Sequence, residues 1–546
     1  MVEKPRHPIL LSIILYYRES VKIRIFKVFE TSQNKQAIYS NDMRMKAPTP
    51  KTLPVVNAWK PLPMSHWREE EAAHLLRRIG FSADPSTVKK IIKQPILNAL
   101  DSRFGQKAPL NASTEFTEFS KELPNVYFEL YNNKNLDPVV KQERQQKKNR
   151  DNNKFYRELT MKWYDHARAE ENSAQEKFVL FLHDIFVIDQ RKVQDAPNLY
   201  TFQNALREGV FLNYPQLCKN ISREPGMIVY LDLAQNTAKK PNENFARELF
   251  ELFILGEGHY TENDIKEAAR AFTGYRLRKK TEYVYHKRFH DNGQKTVFGK
   301  TGNWGGDAVI DIAFEQPAAR TFFIRELLKF YLTDGELPHD DYIIALGNLW
   351  ADNDFEIRYL IHTVFQSRLF FHPAYRGNVV KSPIHFYMGL CQDLNLDIIP
   401  LQGPLIRQML AMGQNLYNPP NVRGWLYGEK WINSTTVSAR RQIVNYLFSS
   451  INEERLNGNQ KKSLADARAA NKGNFLVSNE RLRPMLKNDG EALTEQLCRF
   501  FITELSQQAY VENLSLLIGD PKSQGALYRA RNAIIALLQS PAYNLC

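Results

Sequence analysis

The chain has 546 residues, 43% of them hydrophobic and 12% aromatic, with a net charge of +13. This is the composition of a globular chain of one to three domains, which excludes a collagen-like or wholly disordered polypeptide. No run of eighteen apolar residues occurs, which excludes a transmembrane helix, and Cys218, Cys391, Cys498 and Cys546 are too dispersed for a CxxC metal or redox motif.

The positive excess sits at the start of the chain, where residues 1–60 hold eleven Lys or Arg against four Asp or Glu. The rest is close to balanced, so no nucleic-acid partner is expected. Residues 7–17, "HPILLSIILYY", form a short apolar run behind Lys4 and Arg6 that resembles a secretion signal, but no small-residue cleavage site follows. Residues 1–64 are therefore expected to be an extension, partly disordered or created by a start placed upstream of Met43 or Met45. The absence of a clear signal favours the cytoplasm, with export as the alternative. The Pro-rich stretch over 47–63 reads as an extended lead-in.

From residue 65 helical signals dominate. Residues 65–546 read as one large helical domain, with a C-terminal helical subdomain over 450–546. "HWREEEAAHLLRRIGF" is amphipathic and stops at Gly80, read as a left-handed cap. "ADPSTVKKII" opens a helix with Asp84 as N-cap and Pro85 in first position. Residues 141–167 begin as a basic, solvated face and become amphipathic. "EKFVLFLHDIFVID", over 176–189, is a mostly apolar helix, and "SREPGMIVYLDLAQN" a short helix and loop. Two helices follow within 240–277. The second starts at Thr261, with Asp264 placed for a capping box, and ends at Gly274. Aromatic and β-branched alternation over 281–305 predicts a small hairpin turning at Asn292-Gly293. Helices resume over 307–370, over 382–394 and from Thr435. With no repeat and no βαβ alternation, the fold class is mainly α, a large multi-helix domain with a small β-hairpin insertion near 281–305.

Candidate chemistry falls in four places. On a helix from Glu243, a rotation of about 100° per residue puts Glu243, Asn244, Arg247, Glu248 and Glu251 within an arc of roughly 140°, and apolar side chains fill most of the remainder. Buried charge requires partners, which the i,i+4 pairs Glu243–Arg247 and Arg247–Glu251 would supply. The functional alternative makes Glu248 or Glu251 a general base or metal ligand, with Arg247 binding an anionic group and Asn244 also binding the ligand. His183 is either a satisfied core histidine or a proton carrier. Were it to approach Glu248 and Glu251, the three could hold a divalent ion, but no HExxH motif exists and no metal ligand is assigned.

"RFHDNGQKTVFG" sets His290, Asp291 and Lys295 at the hairpin. They form a stabilised turn, or His290 is catalytic and Asp291 and Lys295 bind a ligand. The following "FGKTG" is not a phosphate loop, because Gln294 stands where that motif needs Gly. In "NPPNVRGWLYGEKWIN", Pro419-Pro420 stiffen the approach to Arg423 and Trp425. Either Trp425 and Trp431 plug the core, or exposed Arg423 and Trp425 stack on and hydrogen-bond a small molecule such as a sugar.

The segments "LLRRIGF", "EKFVLFLHDIFV", "PNENFARELFELFILGEGHYTENDIKEAARAFTGY", "HDNGQKTVFG", "KSPIHF" and "NPPNVRGWLYGEKWINSTT" occur in this order, closed by "LLQSPAY". Together they resemble a bacterial family known as domain of unknown function 1800 (DUF1800), over about residues 70–546. Ile185 departs from that pattern, which often has a second histidine there, and this weakens a metal site built on paired histidines. The resemblance implies a mainly helical protein, often encoded beside a partner similar to the alkaline-phosphatase and sulfatase superfamily, and carries over no catalytic residue or cofactor. Two functions are expected from the whole: a hydrolytic enzyme with a polar ligand site, or a non-catalytic binding partner of that phosphatase- or sulfatase-like protein.

Overall fold

A helix with no solvent face organises the molecule. Glu170–Ile185 carries Phe178, Val179, Leu180, Phe181 and Leu182 in succession, so no rotation leaves a polar stripe, and residues 173–185 are all buried. The helices Glu69–Ile79, Ile96–Phe104, Pro138–Arg168 and Ala196–Gly209 pack around it. Its polar side chains therefore find partners inside the protein. Glu176 accepts from Arg207 Nε and Nη2 at 2.6 Å each and from Trp163 Nε1 at 2.6 Å.

The structure is a computed structural model and describes residues 53–105, 109–483, 486, 490–503 and 507–546. The expectations for residues 1–52 lie outside the described residues. The end of the expected extension, residues 53–64, is bonded to the body. Tyr342 Oη donates to Leu53 O at 2.5 Å, and Trp59 Nε1 donates to Tyr342 O at 2.8 Å. At the other end, the helices Gly490–Phe501, Gln507–Ile518 and Ala526–Leu538 pack on one another, and Val379 and Cys546 exchange backbone hydrogen bonds.

Among the described residues, 25 α-helices and two two-stranded antiparallel sheets make the fold mainly α with a small β insertion. None of these helices is long and apolar enough to cross a membrane. The four cysteines are buried free thiols.

The insertion turns elsewhere than at Asn292-Gly293. Tyr275–Arg278 pairs with Glu282–Tyr285 through Lys279-Lys280, at φ 49° and 62°, and Lys295–Val297 pairs with Lys300–Gly302 through Phe298-Gly299, at φ 47° and 76°. In the second hairpin the loop is these two residues, and two left-handed residues in a row match the twist of its strands, whereas the loop of the first has three, Lys279, Lys280 and Thr281. Asn292-Gly293 joins the two sheets instead, because Asp291 is held by Arg270. The predicted caps form as read: Asp84 accepts from Thr87 N at 3.0 Å, and Thr261 and Asp264 make the capping box. Gly80 is not a left-handed cap, since its φ is −111°. The residue is needed for a different reason: a Cβ there would lie 2.9 Å from Ser173 Oγ on the central helix.

Candidate functional site

The helix over Asn244–Glu248 does not continue as an α-helix. From Leu249 to Ile254 it widens into a π-helix, a form that recurs at functional sites. The wider turn rotates Glu251 away from Arg247, so the expected Arg247–Glu251 pair does not form. Arg247 keeps Glu243, at 3.3 Å, and adds a bidentate pair with Glu262 at 2.9 and 2.7 Å. Glu251 accepts instead from Tyr260 Oη at 2.7 Å and pairs with Arg423, which also reaches Glu257 Oε1 at 2.6 Å. The helix stripe and the Pro-Pro loop, 172 residues apart, thus meet directly.

Glu248 differs from its neighbours. It is half-buried, and among the described residues no hydrogen bond or ion pair reaches its carboxylate. Burial and the nearby Glu251 hold its proton affinity above the ordinary carboxylate range, against the opposing charges of Arg423 and Arg247. Tyr230 lies close enough for Glu248 to help raise its hydroxyl to about 12, behind the larger effects of burial and Asp189. Asn244 opens the helix, its backbone N–H bonded to Asn242 Oδ1 at 3.0 Å.

The other sequence-derived candidates are placed apart from Glu248. His183 is fully buried among Phe202, Tyr417 and Trp425, and among the described residues neither ring nitrogen bonds another residue. Burial lowers its pKa to about 4, so it is neutral at pH 7. Trp425 and Trp431 are buried rather than exposed, at 4% and 3%, and plug the core. His290 Nδ1 lies 2.9 Å from Thr273 O. Asp291 pairs with Arg270, which keeps its carboxyl below the usual range. Lys295 is fully buried and donates to Asp291 O at 2.6 Å, Gly293 O at 3.0 Å and Asn303 Oδ1 at 3.3 Å. This group closes the loop between the two small sheets. Among the described residues no three His, Cys, Asp or Glu side chains cluster as metal ligands, so His183, Glu248 and Glu251 do not come together.

A second polar centre was not foreseen in the sequence. A cavity of about 30 Å³, room for a single water, is walled by Lys177, Asp184, Asp334, His385, Gln414 and Tyr427. Lys177 Nζ donates to Gly80 O at 2.7 Å and Arg77 O at 3.2 Å, and lies 3.3 Å from His385 Nδ1. Asp184 accepts from Trp425 N at 2.7 Å and from Tyr427 Oη. Gly424 makes this approach fit: its φ is +83°, and a Cβ there would lie 2.6 Å from Asp184 O. The segments "LLRRIGF", "EKFVLFLHDIFV", "KSPIHF" and "NPPNVRGWLYGEKWINSTT" all contribute to this cavity, through Phe81, Lys177 and Asp184, His385, and Trp425. The available signal was Lys177 and Asp184, seven residues apart on one face of an otherwise apolar helix.

These buried charges make stability depend on pH in two opposite limbs. Burial raises Asp184 from 3.8 to about 7, so the folded state keeps a proton that the unfolded chain has lost. Stability through Asp184 therefore falls as pH rises from about 4 to about 7. Burial lowers Lys177 from 10.5 to about 7, so the unfolded chain holds the extra proton, and stability recovers from about 7 to about 10.5. Lys381, lowered to about 8 by burial, acts in the same direction as Lys177. Denaturant unfolding across pH 4–10 should show Asp184→Asn flattening the acid limb and Lys177→Met flattening the alkaline one. Slopes identical to wild type in both variants would refute the assignment.

A family model described as "Protein of unknown function (DUF1800)" matches residues 74–545. No curated protein and no solved structure matches the chain.

Proposed function

The chain belongs to the DUF1800 family, whose description names no activity, and from the geometry we propose that the 244–254 stripe and the Arg423 loop form a site for a neutral, hydroxyl-rich small molecule. The observation that carries this reading is Glu248, a half-buried carboxylate with raised proton affinity and no direct partner among the described residues. An acceptor withdrawn from water without a donor costs free energy, which a ligand hydroxyl offsets. Arg247 already serves Glu262 and Glu243, and Arg423 serves Glu251 and Glu257, so the surrounding cations set the field at Glu248 rather than binding an anion. In the hydrolytic form of this reading Glu248 takes the proton of an attacking water, the task of a base whose pKa is shifted upward.

The test is thermal-shift and calorimetric titration with neutral mono- and disaccharides, followed by assay of the matching p-nitrophenyl glycosides. Glu248→Gln should unfold within about 0.5 kcal/mol of wild type, because no bonded partner is lost, while every ligand-induced shift disappears. A wild type that responds to none of these compounds, or a variant that responds as well, would remove the proposal.

A second reading, attachment to a phosphatase- or sulfatase-like protein, is favoured by one feature. The Arg423 side chain is 57% exposed and that of Glu257 65%, which leaves this ion pair open to exchange with a partner's charges. Co-purification lost on Arg423→Glu, with no saccharide response in the wild type, would select it.

A further inference from the structure

The first small sheet carries two cations that the fold does not neutralise. Arg276 sits half-buried on the strand Tyr275–Arg278, opposite Val284. Arg288 is exposed in the short turn Lys287–Phe289. Both guanidiniums lie over the Phe289 ring, with Cζ 4.4 and 4.5 Å from its centroid. Among the described residues neither has a hydrogen bond or an acidic partner. The other arginines of this region are all satisfied: Arg278 by Glu282, Arg270 by Asp291 and Glu267, Arg223 by Asp307.

The surroundings add charge of the same sign. Phe289 O accepts from Ala238 N at 2.9 Å, the residue that the exposed Lys239 and Lys240 follow in the chain, and Lys287 precedes Arg288. No carboxylate pairs with any of these three lysines among the described residues. The ring attracts each guanidinium through its face but does nothing to cancel their mutual repulsion. The repulsion registers on Arg276, whose pKa is lowered by burial first and by Arg288 second. A group with two or more anionic oxygens supplies the missing element, since guanidinium forks match such oxygens in planar, bidentate geometry.

We propose that Arg276, Arg288 and Phe289 form a binding site for a tetrahedral oxyanion, a phosphate or sulfate group, either free or carried on an ester. The site is separate from Glu248 and does not depend on the reading given to that residue.

The experiment is calorimetric titration of the full chain with inorganic phosphate, inorganic sulfate and phenyl phosphate, each against chloride at equal ionic strength. Saturable binding of at least one oxyanion is expected. Arg288→Gln, an exposed change, should weaken it by about tenfold or more, as loss of a charge-assisted fork implies. Arg278→Gln, whose guanidinium is occupied by Glu282, should bind as wild type does. Phenyl phosphate much tighter than inorganic phosphate would identify an ester as the occupant, and equal affinities the free ion. The proposal is overturned if no oxyanion exceeds chloride, or if Arg288→Gln binds as tightly as wild type.

Discussion

Gly424→Ala should destabilise the protein by roughly 3 kcal/mol or more, from left-handed backbone strain added to overpacking. Gly424 holds φ +83°, and an added Cβ would lie 2.6 Å from Asp184 O and closer still to its carboxylate. Asp184 cannot retreat, because the helix behind it is buried on every side. The loop must move instead. It would then give up the Trp425 N and Tyr427 Oη bonds to Asp184, and with them the alignment of Arg423 on Glu251. Urea unfolding gives the loss directly, and the saccharide titration gives the consequence at Glu248. A variant with the wild-type midpoint would mean that the loop is not clamped where the structure places it.

Glu176→Ala is expected to cost about 3–5 kcal/mol, the range for breaking a buried ion pair by removing one partner. Glu176 and Arg207 have side chains only 1% and 4% exposed, and Arg207 gives two donors to this carboxylate. The alanine leaves Arg207 charged and buried, with Asn204 as its remaining bonded side chain, and also strands Trp163 Nε1. The double variant Glu176→Leu/Arg207→Met removes both charges and should recover much of the loss, because an apolar pair carries no desolvation penalty. A Glu176→Ala loss below about 1 kcal/mol would show that water reaches this pair and that the central helix is not enclosed at Glu176.

Both effects originate on the central helix, although the stripe with the most conspicuous polar residues in the sequence lies elsewhere. Helical class, the caps at Asp84 and Thr261 and the identity of the family were legible in the residues themselves. So was the Glu243–Arg247 pair. The partner of Glu251 was not, because a projection at about 100° per residue holds only for an α-helix and the segment becomes a π-helix at Leu249. Trp425 could be read as exposed or buried from its loop alone. Its burial follows from the backbone bond to Asp184, a contact spanning 241 residues.

What the sequence determined by itself is what acts within a few residues: the helical periods, the caps at Asp84 and Thr261 and the need of each buried charge for a partner. Such interactions leave a pattern because their atoms are fixed by local geometry. The tertiary structure alone decided which partner each charge received, which glycine had to be glycine, and that Glu248 was left without a partner among the described residues. Those outcomes depend on close packing between segments hundreds of residues apart, and packing of that kind selects for shape and volume at a distance rather than for any local spacing.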